Sequence, residues 1–471
     1  MASPSATTTP GAGLKRNCLS FWEVVAQSVA NIAPTAAPAL IVPFVFADAG
    51  NGAWLAFVIA TIAMVLVALQ VNVFARRSAS PGALYIFVQQ GMGVTWGVLS
   101  GWALIIAYIF TGAAVLAGAA NYGLVLARVL PRVAADAPLS VFFLLLTASL
   151  TGWIAYKDIK LSTRSMLIME FSTVALILFV AAIFFFRHGA IFDLDQLKLM
   201  GVTGAGIRRG LVLSVFAYVG FESATALGHE ARDPLRVIPA SVLLSVLATA
   251  AFFIFMSYTL VMAFRGQPSG LNNSNAPLNV LAQVAGIPAF GEVIAVGAYV
   301  SFFACTLASI NAAARVIFSM ARHRLLPASA GRAHPTHGTP HVAVILSVLL
   351  VLGMPLVLFL SGSSLLDIYN YLATIATFGF LVAYVFISIA APLELRRENA
   401  LSIGALLLAL LGIILLMIPA VGSVYPLPAA PMSYLPLIFV GLLGVGTVWF
   451  VYLRAFQPER FRAVEGDSAE N

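Results

Sequence analysis

Two of the apolar stretches in this chain contain residues that a continuous membrane helix does not tolerate. The first runs Ser28-Val29-Ala30-Asn31-Ile32-Ala33-Pro34-Thr35-Ala36-Ala37-Pro38, and the second runs Phe216-Ala217-Tyr218-Val219-Gly220-Phe221-Glu222-Ser223. A proline removes a backbone donor and obstructs the preceding turn, and a glycine between bulky neighbours permits an unwound backbone. Amides and carbonyls freed in this way cannot face lipid, so at membrane depth they are buried in protein or line a polar cavity. Prolines alone could merely kink the first span. Interruption of the second span as well favours a pair of discontinuous helices.

Composition sets the class. With 61% hydrophobic and 9% charged residues over 471 positions, and a mean hydropathy of +0.99, the chain has too little polar surface for a soluble globule. The expected fold class is an all-α polytopic membrane protein. Apolar runs of about 20 residues, the length that crosses a bilayer, begin near Phe21, Ala53, Val94, Leu139, Met166, Leu211, Pro239, Gly291, Val342, Leu366, Leu401 and Leu435. That predicts twelve transmembrane helices, the third and eighth extended or tilted.

An even number of spans puts both termini on one side. Lys15, Arg16, Arg76, Arg77, Lys157, Lys160, Arg164, Arg232, Arg236, Arg322, Arg324, Arg332, Arg396, Arg397 and Arg454 fall in the tails and even-to-odd loops. The opposite loops hold fewer, chiefly Arg128, Arg132, Arg187, Lys198, Arg208, Arg209 and Arg265. This bias places both termini in the cytoplasm of a plasma-membrane protein. The net charge of +7 is thereby spread along one membrane face, and no nucleic-acid surface results.

Other classes are disfavoured residue by residue. The polar start from Met1 to Asn17 lacks the layout of a cleaved signal, so the first span is expected to stay in place. Cys18 and Cys305, the only cysteines, supply neither a disulfide framework nor a metal set. His334, His337 and His341 share a loop with Pro335, Gly338 and Pro340; without cysteine or acidic partners they read as a solvated turn. Asn272-Asn273-Ser274 is a formal glycosylation triplet of a kind common by chance. No metal and no cofactor are expected. No HExxH, paired histidine–acid cluster or nucleotide loop is present, so an enzyme is not expected. A channel wants a continuous pore, whereas two opposed broken helices form an occludable pocket.

The breaks also organise the chain. Each opens a set of five spans, and an odd number per set gives the two sets opposite orientations, the inverted-repeat plan of many ion-coupled carriers. The expected layout is a tail at 1–19, a first repeat at 20–187, a loop at 188–208, a second repeat at 209–392, two added helices at 393–456 and a tail at 457–471. Pro81-Gly82-Ala83-Leu84-Tyr85 suggests a turn into an interfacial helix before the third span. Asn275-Ala276-Pro277 suggests a short outer helix before the eighth.

The second break, continuing through Leu227-Gly228-His229-Glu230-Ala231-Arg232-Asp233-Pro234 and Ile238-Pro239, resembles the sixth-span signature of the amino acid, polyamine and organocation (APC) permeases. Ala314-Arg315-Val316-Ile317-Phe318-Ser319-Met320-Ala321-Arg322, followed by Leu325-Leu326-Pro327, is similar to the eighth span of that family. The resemblance extends over nearly the whole chain. It implies a LeuT-like 5+5 inverted repeat and a bacterial-type permease for an amino acid or amine. Many members carry a Gly-Ser-Gly type break in span 1, where this chain has Asn31-Ile32-Ala33-Pro34; the departure bears on pocket shape and substrate.

Candidate site residues follow. Substrate contacts are expected from Ala30, Asn31, Ile32, Ala33, Thr35 and Ala36 at the first break and from Phe216, Ala217, Val219 and Gly220 at the second. Amides of Ala33, Thr35 and Ala36 suit a carboxylate, since Pro34 supplies none, and carbonyls of 216–219 suit an ammonium. By resemblance, Phe216 matches an aromatic that closes over substrate. Tyr108 is either a pocket residue or packing between helices. Glu170 and Glu222 are ionisable groups within the bilayer and candidates for ion or proton coupling. Glu170 either exchanges a proton, at a place where relatives often carry a lysine, or pairs with Arg164. Glu222 either holds the unwound backbone or carries the proton. Ser309 and Asn311 face a cation position or bond helix to helix. Glu230, Arg232 and Asp233 form either a latch or a solvated link. The expected partners are a small amine or amino acid, the bilayer, and a proton in preference to sodium. The function read from this is secondary active import by alternating access, with exchange or polyamine- or ethanolamine-type transport as alternatives.

Overall fold

The computed structural model describes residues 17–78, 82, 84–128, 136–157, 159–189, 191–228 and 230–459. Its α-helices in chain order are α1 (Phe21–Ile32), α2 (Val42–Ala49), α3 (Ala53–Ala75), α4 (Leu84–Met92), α5 (Val94–Ala127), α6 (Asp136–Lys157), α7 (Ile159–His188), α8 (Leu194–Leu197), α9 (Gly204–Phe216), α10 (Pro234–Ala263), α11 (Pro277–Val284), α12 (Ala289–Arg322), α13 (His341–Leu360), α14 (Leu365–Arg397), α15 (Ile403–Gly422) and α16 (Leu435–Phe456). No strand occurs among the described residues beyond an isolated bridge between Leu19 and Ala231. Most of the two expected tails falls outside those residues, as do Pro81, Ala83 and His229.

Among the described residues, eleven segments are long and apolar enough to cross a membrane, so the chain is a multi-pass membrane protein. The first of them, Phe21–Ala75, is 55 residues long. A single helix of that length would measure roughly 80 Å against a hydrocarbon core of about 30 Å. With α1, α2 and α3 inside it, the segment is long enough for two of the twelve expected crossings. Helices α5 and α12 each run 34 residues, about 51 Å at 1.5 Å per residue, and have the extension expected of the third and eighth spans. Short helices α4 and α11 stand where the turn and loop signals placed them.

Burial separates a core from a lipid-facing shell. The most apolar window of α5 is 94% buried, and that of the second broken segment is 100% buried; the windows of α15 and α16 are only 22% buried. Helix α5 packs against α12 and α14. Lipid is as apolar as leucine, so contact there depends on close approach between small residues. Gly379 of α14 shows this: a Cβ there would lie 2.7 Å from the Ala103 carbonyl oxygen and 2.9 Å from the Ala107 Cβ. Exposed Phe142, Leu349, Leu407 and Val448 belong to the shell, on α6, α13, α15 and α16.

The face at which α1 begins is held by a strap. Amides of Cys18 and Leu19 each donate to the Glu230 carbonyl at 2.8 Å, and the Arg232 amide donates to the Leu19 carbonyl at 2.8 Å. The Glu230 carboxylate meets Arg315 of α12 through two oxygens, at 3.1 and 3.3 Å. Both side chains are buried, at 3% and 2% exposure. Of the expected latch residues, Glu230 is therefore the one whose carboxylate is tied into the core, while the Asp233 carboxylate makes an exposed 3.9 Å contact with Arg236. At the opposite face, Asp193 caps α8 and pairs with Arg265 at 3.0 Å. Burial works to raise its carboxyl, but hydrogen bonds from Gln196 and Arg265 outweigh this and hold it below the ordinary aspartate value. Because the folded value is depressed, this support is present above the ordinary value and is lost as pH falls through the lowered one.

Two substitutions test this packing by thermal unfolding of the purified protein. Gly379→Val drives methyl groups into the α5 backbone and is expected to cost about 1–3 kcal/mol, whereas Gly353→Ala, with no neighbour within 4 Å, leaves the transition in place. Glu230→Ala strands the Arg315 guanidinium in the core and costs about 3–5 kcal/mol, most of it returned by replacing both partners with apolar residues.

Candidate substrate site at two broken helices

Helix α1 stops at Ile32 because Ala33 turns into the left-handed region, with φ 50° and ψ 72°. A glycine takes that conformation without strain; alanine holds it at a cost of about 1–2 kcal/mol. The chain then passes Pro34 and resumes as a π-helical turn, Ala37–Ile41, before α2. In the second segment α9 ends at Phe216, Gly220 adopts φ 94°, and the chain continues as a 3₁₀ helix, Phe221–Leu227. Both interruptions expected from the sequence are present. The tight 3₁₀ winding after Gly220 was not foreseen.

The breaks lie against each other. A side chain at Gly220 would collide with Asn31, so glycine is required there by space as well as by φ. Backbone groups at and beside the breaks are hydrogen-bonded by nearby side chains. The Ser28 hydroxyl donates to the Phe221 carbonyl at 2.6 Å, the Ser223 hydroxyl to the Gln27 carbonyl at 3.4 Å, and the Cys305 thiol to the Asn31 carbonyl at 3.2 Å. The Gly220 amide donates to Glu222 Oε2 at 3.2 Å. That carboxylate also accepts the hydroxyls of Tyr108 at 2.6 Å and Tyr384 at 2.5 Å. Three donors on one buried acid pin the unwound turn to α5 and α14.

Between the breaks lies a narrow cavity of about 10 Å³, room for roughly one water molecule. Asn31, Ile32, Ala33 and Ala36 line it from the first break and Phe216 and Val219 from the second, all six among the expected contacts. Ile41, Thr111, Val115, Cys305 and Tyr369 complete it. Three of its polar atoms are buried without a hydrogen-bond partner: Asn31 Nδ2, Thr111 Oγ1 and the Tyr369 hydroxyl. An apolar chamber with a few converging, unpartnered polar groups is the usual form of a small-molecule site.

Other expected residues lie elsewhere. Ala30, Thr35, Ala217 and Gly220 are buried beside the cavity and outside its lining. Tyr108 is turned to Glu222, and its neighbours one and two turns along α5, Thr111 and Val115, face the chamber instead. The amide donors proposed for a carboxylate are partly engaged, because the Ala33 amide donates to Val29 and the Ala36 amide to Ala33. The left-handed turn folds these groups back on the chain. The Asn311 carbonyl accepts from Arg315 at 2.8 Å, and Asn311 is not part of the cavity lining.

Glu170 of α7 is 2% exposed. The Ser301 hydroxyl donates to one of its oxygens, and the other oxygen has no partner. The side chain of Arg164, its alternative partner, lies outside the described residues. Ser301, Cys305 and Ser309 follow at four-residue intervals on one face of α12, and the Ser309 hydroxyl donates to Asn31 Oδ1 at 2.8 Å. A polar stripe thus leads from Glu170 to the cavity-lining Asn31. The sequence reading missed Ser301 and the bonding role of Cys305; their spacing with Ser309 was the available signal.

Toward the far face the cavity is covered by aromatic rings. Phe216 meets Tyr369 edge-on at 6.2 Å and 86°, and Tyr369 stacks on Phe44 of α2 at 6.3 Å and 10°. Beyond this layer Arg209 of α9 pairs with Asp48 of α2 at 2.9 Å.

Comparison with known proteins bears on the family and the fold. The family model described as amino acid permease matches residues 23–455. The chain is 27% identical over 374 residues to the branched-chain amino acid permease BcaP of Bacillus subtilis, covering 74% of this chain and 75% of the relative. It is 25% identical over 350 residues to the low-affinity putrescine importer PlaP of Escherichia coli, covering 71% and 72%. Among solved structures it is similar to MhsT in complex with L-phenylalanine, with a TM-score of 0.62, 16% identity, and coverage of 87% of this chain and 99% of that one; this likeness bears on the LeuT-like fold. With a match that runs from the third residue of α1 to the last turn of α16, the chain belongs to the amino acid permease family of the APC superfamily.

Proposed function

We propose that this protein is a secondary active transporter that imports a neutral amino acid across the plasma membrane by alternating access, coupled to protons. The observation that carries the reading is the enclosed chamber between two broken helices, with Asn31 Nδ2, Thr111 Oγ1 and the Tyr369 hydroxyl unpartnered at its wall. These groups suit a substrate carboxylate or ammonium, joined by carbonyls at the end of α9. The rest of the lining is apolar, and no carboxylate or cationic side chain is part of it. A second ammonium, as in a polyamine, would find no counter-charge there, so a compact apolar side chain fits better than a diamine.

In this reading both termini face the cytoplasm, the sets at 20–187 and 209–392 move against each other, and the helices at 393–456 are additions. Phe216 acts with Tyr369 and Phe44 as the outer cover. The Glu230–Arg315 strap closes the inner side. Glu170 carries the coupled proton: one oxygen is held by Ser301, the other is open to protonation, and the stripe through Cys305 and Ser309 connects it to Asn31 at the substrate chamber. Glu222 has a structural role, since its oxygens are engaged by donors that fasten the second break.

Reconstitution tests the proposal. Saturable uptake with trans-stimulation is expected for isoleucine, leucine or valine, and ligand-induced thermal stabilisation by these but not by putrescine; stabilisation by putrescine alone would overturn the substrate class. Phe216→Ala removes the cover and is expected to weaken substrate retention about tenfold, or about 1.4 kcal/mol. Glu170→Gln abolishes pH-driven accumulation while exchange continues; accumulation that still follows the pH gradient would remove Glu170 from the mechanism.

A further inference from the structure

The ends of several helices gather arginines at one corner of the face that carries the strap. Helix α16 reaches that face, since the Trp449 indole donates to the carbonyl of Leu325, just beyond α12, at 3.0 Å. In its last turn Arg454 donates to the hydroxyl of Thr95, at the start of α5, at 3.1 Å. Arg397 at the end of α14 donates to the Gln90 carbonyl of α4 at 2.6 Å, and Gln90 and Thr95 flank the short turn between α4 and α5. Arg77, just past α3, grips Glu398 through two hydrogen bonds of 2.8 and 2.7 Å. These contacts bring the ends of α3, α14 and α16 to the start of α5, and with them the adjacent Arg76 and Arg396.

The corner is unbalanced in charge. Five arginines meet two glutamates there, and both carboxylates are already engaged, Glu398 by Arg77 and Glu394 by Arg397 at 3.5 Å. Arg76 and Arg396 are exposed, and neither guanidinium has a hydrogen-bond or ion-pair partner among the described residues. Aromatic rings mark the depth at which these charges lie. Trp96, 44% exposed, meets Phe386 of α14 edge-on at 5.3 Å, and the exposed rings of Tyr452 and Phe456 pack together on α16 at 4.9 Å. Exposed tryptophan and tyrosine collect at the level of lipid headgroups, so guanidiniums at the helix ends stand at the height of the phosphates. A guanidinium fork matches a phosphate through paired N–H groups. Below it, Trp96, Phe386 and Phe456 offer acyl chains an apolar surface, which a soluble acidic partner would leave unused.

We propose that this corner binds the headgroup of an anionic phospholipid, with Arg76 and Arg396 as its principal contacts and Arg77 held in reserve by Glu398. The Arg77–Glu398 pair is more than a third exposed on each side and contributes little to stability, so its arginine is readily shared with a phosphate. The site requires nothing of the central chamber, of Glu170 or of the substrate class.

Native mass spectrometry of the purified full-length protein, titrated in detergent with phosphatidylglycerol or phosphatidylcholine, tests it. Phosphatidylglycerol is expected to bind in preference, and the double variant Arg76→Gln/Arg396→Gln to bind it about tenfold more weakly. Arg236→Gln, an 87% exposed arginine elsewhere on the same face, is expected to bind as the wild type does. Equal binding of the two lipids, unchanged binding by the double variant, or an equal loss in Arg236→Gln overturns the site. Displacement of the lipid by millimolar inorganic phosphate would mark an ion site only and overturns it as well. Glu398→Gln gives a second reading that does not depend on the double variant: it releases Arg77 and is expected to raise phosphatidylglycerol binding about threefold, whereas a fall assigns the corner to structure alone. Unchanged thermal unfolding of the variants without added lipid separates loss of the site from loss of fold.

Discussion

The structure depends on one constraint: polar main chain cannot be left unsatisfied in lipid. Two membrane segments are broken partway along their length, at Ala33 and Gly220, and each break releases amides and carbonyls that water cannot reach. The molecule answers by laying the breaks side by side and filling their hydrogen bonds from neighbouring segments. Ser28 serves the second break, Ser223 and Cys305 serve the first, and Glu222 gathers the Gly220 amide with two tyrosines. Burial of the core follows from this requirement. Helices α5, α12 and α14 must enclose the broken segments, so they are lined with small residues and lie out of contact with most of the lipid.

Strain and satisfaction are unevenly divided between the two breaks. The second is relaxed, since Gly220 occupies a conformation that suits it and its amide has a carboxylate partner. The first keeps Ala33 at positive φ and leaves Asn31 Nδ2 and the Thr35 hydroxyl without partners. Stored strain and open donors therefore collect at the first break, with Asn31 on the wall of the chamber and Thr35 outside its lining. The polar stripe on α12 ends at the same residue. Asn31 is thus the place where the wall of the chamber, the bonding of the first break and the path from Glu170 come together.

Much of this was legible beforehand, for physical reasons that can be named. Prolines 34 and 38 and Gly220 mark the breaks because their effects on the backbone are local and hold in any fold. Phe216, Val219 and Asn31 were placed at the chamber because they flank those breaks. Thr111, Val115, Cys305 and Tyr369 were not, since they sit on unbroken helices where every face is similarly apolar and nothing in the periodicity tells chamber from packing. Tyr108 and Thr111 differ by less than one turn, and which of them faces the chamber was decided by the position of Glu222 across the bundle.

The sequence by itself determined the membrane class, the two interruptions and the family, because these rest on composition, on short-range backbone chemistry and on motifs read in order. Only the tertiary structure decided what the interruptions face. It brought the Glu222 carboxylate to the Gly220 amide and two tyrosine hydroxyls, joined Glu230 to Arg315 of α12, and paired Asp48 with Arg209. Partners separated by scores of residues meet through the angle and depth at which long helices pack, and those depend on the summed fit of many small contacts that no local pattern encodes.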